Sequence, residues 1–204
     1  MVLVDGSRGR PEADAERFAR VADALTSLAS RPEVSLDQVP APSRLASYGV
    51  ALSGEVLDGE DELGSGRFVL LHEPGGHEAW DGEFRCVTFV RASVERDVAD
   101  DPLLPAVGWS WLSEAVEGND VSLRVLGGTV TAVVNESFGT MAGEANGADV
   151  EIRASWTPVV LGDAPPEVEM VRHARAWVDL LCTASGLAPL PEGVVALPRP
   201  RSRT

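Results

Sequence analysis

The sequence predicts an α+β domain: a predominantly antiparallel sheet with an N-terminal helix and two tryptophan-containing helices covering it. Three observations carry this. First, residues 150–157 alternate cleanly, with Val150, Ile152, Ala154 and Trp156 on one face and Glu151, Arg153, Ser155 and Thr157 on the other; that is the pattern of a strand in a sheet with one wet face. Second, three segments carry apolar residues at helical spacing. Third, Gly, Pro, Asn and Asp cluster between the periodic segments, as connections between strands and helices require.

The first helical segment runs from about Glu12 to Ser30, with Phe18, Val21, Ala22, Leu25 and Leu28 on its apolar side. Pro11 suits a first helical position and Pro32 ends the run. Residues 33–47, with Pro40 and Pro42, read as a long connection containing one short helical turn at Ser43–Ala46. A strand is expected over 48–57, then an acidic glycine-rich turn from Asp58 to Gly66, then an all-apolar central strand, Phe68–His72, broken by Pro74, Gly75 and Gly76. Residues 83–92 form the next strand, with Phe84, Cys86, Thr88 and Val90 on one face and Arg85, Val87, Phe89 and Arg91 on the other.

The helix at 102–117 has Leu104, Val107, Trp111, Leu112, Ala115 and Val116 in its stripe and stops at Gly118. Residues 121–125 and 129–138 read as two β runs with a turn or bulge between them at Gly127 and Gly128. Pro165 and Pro166 open the last helix, where Met170, Val171, Ala174, Trp177, Val178 and Leu181 share a stripe. The order α, βββα, βββα admits a duplicated βββα unit, with halves at 48–118 and 120–186. Residues 12–190 make a single domain, and the Pro- and Arg-rich residues 191–204 are expected to be a disordered tail.

Composition narrows function by exclusion. All 17 basic residues are arginine, so chemistry that needs a lysine amine is closed to this chain. The formal net charge of −15 repels phosphates and anionic membrane surfaces, so neither nucleic acid nor a membrane is an expected partner. No apolar run is long enough to span a bilayer. Two cysteines, Cys86 and Cys182, both in apolar patterns, read as buried free thiols of a cytoplasmic protein.

Several segments carry a family resemblance: Arg44–Val56 (RLASYGVALSGEV), Gly66–Ala92 (GRFVLLHEPGGHEAWDGEFRCVTFVRA), Asp101–Glu117 (DPLLPAVGWSWLSEAVE), GTVTAVVNESFG and EIRASWTP. Together, over roughly residues 14–190, they resemble an actinobacterial family known only as a domain of unknown function, number three thousand. The arginine bias fits a GC-rich genome of that kind. The resemblance assigns no activity to any residue. Its gene neighbourhood, near an exonuclease similar to ribonuclease D, implies a reading as an accessory factor in RNA metabolism.

Four candidate chemistries stand beside this. His72, Glu73, His77 and Glu78 offer two imidazoles and two carboxylates within seven residues, the donor types of a Zn²⁺ site, although Pro-Gly-Gly between the histidines forbids the helical zinc motif. Asp58, Glu60, Asp61 and Glu62 carry oxygen donors for Ca²⁺ but lack the glycine and terminal glutamate of an EF-hand loop. Cys86 and His173 read as packed structural residues. Trp109 falls at the rim of its helix stripe, about 140° round from Leu104, beside Ser110 and Ser113, where a partner-binding anchor is one reading and a half-buried lid the other. No catalytic constellation and no cofactor are expected. The favoured function is a non-enzymatic cytosolic protein-binding or regulatory module with an unknown protein partner. The alternative is a small hydrolase or metalloenzyme built on the His72/His77 loop.

Overall fold

The computed structural model describes residues 9–141, 147–160 and 164–188, so the expected tail at 191–204 lies outside the described residues. Helix α1 (Gly9–Thr26) is followed by β1 (Val34–Val39), β2 (Tyr48–Asp58) and β3 (Asp61–His77). A 3-10 turn (Glu78–Trp80) leads to β4 (Gly82–Val94), the short α2 (Arg96–Ala99) and α3 (Leu104–Gly118). Then come β5 (Leu123–Val134), β6 (Ala148–Pro158) and α4 (Pro166–Ala184).

The strands form one six-stranded sheet in the order β1-β2-β3-β4-β6-β5, and every neighbouring pair is antiparallel. Helices α1, α3 and α4 cover one face. Phe18, Val21 and Leu25 of α1, Leu104 and Leu112 of α3, and Met170, Trp177 and Leu181 of α4 share one buried cluster with Val50, Leu52, Phe68, Leu70, Val90 and Ile152 of the sheet. Trp156 and Trp177 have no exposed surface. Thus the expected α+β layering, with both tryptophan helices on the sheet, is the observed one. The duplication is not: four strands precede α3 and two follow it.

Three local readings change, each because tertiary packing outweighs local composition. Residues 34–39, expected as connection, form edge strand β1, with Val34 and Leu36 packed on the core. A short edge strand needs little apolar patterning, and the prolines fall just beyond it. Residues 43–46 make a bend rather than a helical turn, with Arg44 at φ 74°. The two β runs around Gly127 are one strand, β5, ending at Val134 and carrying an irregularity between Arg124 and Gly127 where Val125 has φ 52°.

A fourth reading changes as well. The acidic, glycine-rich stretch is a turn only at Gly59 (φ 69°) and Glu60; from Asp61 onward it is strand. Gly66 in this stretch, and Gly54 on β2, lie beneath Trp177. A Cβ on Gly54 would lie 3.0 Å from the Trp177 ring, and one on Gly66 would lie 3.1 Å from Trp177 Nε1 and 2.7 Å from the Phe89 carbonyl oxygen. Bare backbone lets the indole lie directly on the sheet. Gly66→Ala is therefore expected to lower stability by about 1–3 kcal/mol through overpacking. Urea unfolding measures this, and an unchanged midpoint would contradict the close approach.

Candidate functional site

The face of the sheet opposite the helices is only partly covered. Residues 40–47 and Trp80 fold over one end, where Ala51, Val69 and Leu71 pack with Val39, Ala41 and Ala46. Glu73 pins that loop, accepting hydrogen bonds from Ser47 N–H (2.9 Å) and Ser47 Oγ (2.8 Å). Across β3, β4, β6 and β5 no described residue folds over the face.

Strand register dictates what this open region presents. Arg67, Phe89, Arg153 and Thr129 stand side by side on four adjacent strands. In the next row are Val69, Val87, Ser155 and Gly127. Between these rows lies a shallow trough of about 370 Å³, lined by Arg67, Val69, Val87, Phe89, Thr129, Arg153 and Ser155 among others. At Gly127 an added Cβ would meet nothing within 4 Å, so this end stays open. Val87 is 37% exposed, a large apolar side chain standing on an uncovered sheet.

Guanidiniums frame the trough. The Arg153 guanidinium carbon lies 4.9 Å from the Phe89 ring centre, and its Nη2 is 2.7 Å from Glu151. Arg91 pairs with Asp149 at 2.7 Å, which raises its pKa. Arg85 donates only to neutral acceptors: Ser155 Oγ at 2.6 Å, Thr157 Oγ1 at 3.1 Å and the Val125 carbonyl at 3.0 Å. Burial lowers its pKa. Arg67 is exposed and makes no ion pair among the described residues.

The residues singled out from sequence are dispersed. His72 and Glu73 are strand neighbours, so they point to opposite faces. The His72 ring is fully buried on the helix side, 4.3 Å from Phe84 and 5.7 Å from both Phe18 and Tyr48. Neither of its nitrogens has a hydrogen-bond partner among the described residues. Desolvation lowers its pKa, against an opposing pull from Glu83. His77 is exposed, stacks on Trp80 at 4.5 Å and accepts the Ala79 N–H through Nδ1. Glu78 opens the exposed 3-10 turn. The four do not converge, and no group of three or more His, Cys, Asp or Glu able to hold a metal occurs among the described residues. Asp58, Glu60, Asp61 and Glu62 are exposed around the β2–β3 hairpin.

Trp109 is half-buried and packs on the main core. It and Trp111 flank the buried line Leu104, Gly108, Leu112 and Ala115. Ser110 donates to the Val107 carbonyl (2.8 Å) and Ser113 to the Trp109 carbonyl (3.3 Å), so both hydroxyls bond their own helix. Val107 is 42% exposed but sits about 200° round the helix from Trp109. His173, expected at the edge of its stripe, is instead fully buried, and its Nδ1 accepts the Trp156 Nε1–H at 2.9 Å. Cys86 and Cys182 are both buried and free, and burial holds the Cys86 thiol well above its ordinary pKa and pushes Cys182 up to about 11.

The open face was the feature that pattern reading passed over. Its signal was present: Val87 and Phe89 alternate with arginines on what should be the wet side of β4. No curated protein and no solved structure matches the chain. A family model described as a protein of unknown function (DUF3000) matches residues 14–195, and by that match over most of its length the chain belongs to this family.

Proposed function

We propose that the protein is a non-enzymatic binding module that acts through protein–protein contact, and that the contact surface is the open face of the sheet. The observation that carries this is exposed Val87 beside half-buried Phe89, bordered by buried Val69 and set between guanidiniums of β3 and β6. An antiparallel sheet with helices on one side usually turns polar side chains to water on the other. Here that side offers apolar surface with arginine around it, the residue mix of a binding patch. Buried Cys86 and Cys182, unpaired, suit a reducing cytoplasm.

Photo-cross-linking tests the reading and separates it from a contact through α3. A photoreactive phenylalanine analogue replaces Val87 in one full-length variant and Ser110 in another, both expressed in the native host. The expected result is a discrete protein adduct from position 87 and none from position 110. An adduct from position 110 alone would transfer the contact to the Trp109 helix, and no adduct from either would remove the binding reading.

A further inference from the structure

We infer that the segment received by this face is an acidic–apolar peptide, with carboxylates held by Arg67 and Arg153 and an aliphatic or aromatic side chain seated on Val87 beside Phe89. This rests on the open-face reading above and adds the partner's chemistry.

Charge complementarity carries it. Arg67 and Arg153 flank Phe89 in register, two strand spacings or about 10 Å apart. Successive carboxylates of a short segment can engage both. Arg67 has no carboxylate partner among the described residues. Arg153 has Glu151, whose side chain is only 19% exposed, but the guanidinium side chain is 55% exposed, so an incoming carboxylate reaches it from the open side. Arg85 is fixed by neutral acceptors beside the trough and leaves its charge uncompensated there. A local cationic patch on a chain of net charge −15 selects short anionic groups that reach it, and not extended polyanions that must also approach the rest of the surface.

Other occupants fit less well. Two copies stacked through this face would set Arg67 and Arg153 against their own kind. Residues 191–204 of this chain carry Arg199, Arg201 and Arg203, the same sign as the patch. Single-stranded RNA needs several stacking platforms. The open rows supply one aromatic, Phe89, whose ring already carries the Arg153 guanidinium. The trough volume suits one or two side chains.

The test is selection of a displayed random library of 12-residue peptides against the immobilised full-length protein. The expected enrichment is in Asp and Glu alternating with Leu or Phe. An enriched peptide, labelled with fluorescein, should bind the parent and lose at least tenfold in affinity to the R67Q/R153Q variant. It should lose as much when its own carboxylates are replaced by amides. Both arginines are exposed, so the variant should melt with the parent. Enrichment of neutral or basic peptides, binding indifferent to the double substitution, or no enrichment would each overturn the inference. So would tighter binding of a 12-nucleotide oligouridine than of any peptide. If such a failure accompanies a protein adduct at position 87, the partner chemistry is wrong and the open-face reading stands. If position 87 also yields nothing, both fall.

Discussion

Trp177→Ala is expected to cost about 3–5 kcal/mol, the range for truncating a large buried aromatic. The residue has no exposed surface, stacks on Phe68 at 5.8 Å and rests on Gly54 and Gly66. Those glycines carry no side chain that can swing into the void, so the cavity cannot collapse from the sheet side. A domain of this size has of order 5–15 kcal/mol in total, and melting should fall by roughly 6–20 °C. Trp177→Phe should be much milder, because the indole N–H has no hydrogen-bond partner among the described residues and its loss removes an unsatisfied donor. Trp156→Phe behaves differently, since it strips His173 Nδ1 of its donor. Thermal unfolding of the variants checks the set. If Trp177→Ala melts within a few degrees of the parent, helix α4 is not seated as described.

Acidification is expected to destabilise the protein well before carboxylates dominate. Burial lowers the folded-state pKa of His173 from 6.5 to about 4, and also lowers that of His72. Above pH 6.5 both folded and unfolded chains hold these rings neutral, and nothing is lost. Below it the unfolded chain takes up protons that the folded one refuses, so stability falls as pH drops toward 4. At about 1.36 kcal/mol per pKa unit, His173 alone accounts for roughly 3 kcal/mol across that window, and His72 adds in the same direction. Denaturant unfolding at pH 7 and pH 5 gives the difference, and the ring resonances report the titration directly. A His173 that titrates near 6.5 in the folded protein would refute the assignment.

The fold class was legible because its signals are ones that burial enforces. Val150, Ile152, Ala154 and Trp156 alternate because one face must be dry; Met170, Ala174, Trp177 and Leu181 recur because one helix face must be. What escaped was set by partners distant in sequence. Gly64, Ser65 and Gly66 look like a turn by composition, and only distant neighbours, Ser185 and the β4 backbone at Gly64 and the Trp177 indole at Gly66, explain them as strand. Residues 34–39 become a strand because β2 offers them an edge. The candidate site was less readable still. Arg67, Phe89 and Arg153 are 22 and 64 residues apart along the chain, and register alone makes them neighbours. The histidine pair drew attention because it is close in sequence, yet Cβ alternation and the irregular stretch of β3 between His72 and His77 send one ring inward and leave the other outside.

The strand order has a consequence for biosynthesis. β6 pairs on one side with β4 and on the other with β5, yet it is made after both, and α4, whose residues fill the core beneath β3 and β4, is the last made of the described elements. A nascent chain that has emerged only through β5 holds a four-stranded sheet with the long β4 edge unpaired and its apolar underside half bare. Such an intermediate has nowhere to go but to wait, and while it waits it is a template for another chain. Closure of this fold thus waits for β6 and α4, and the core beneath β3 and β4 is filled only once Ala184 has been made.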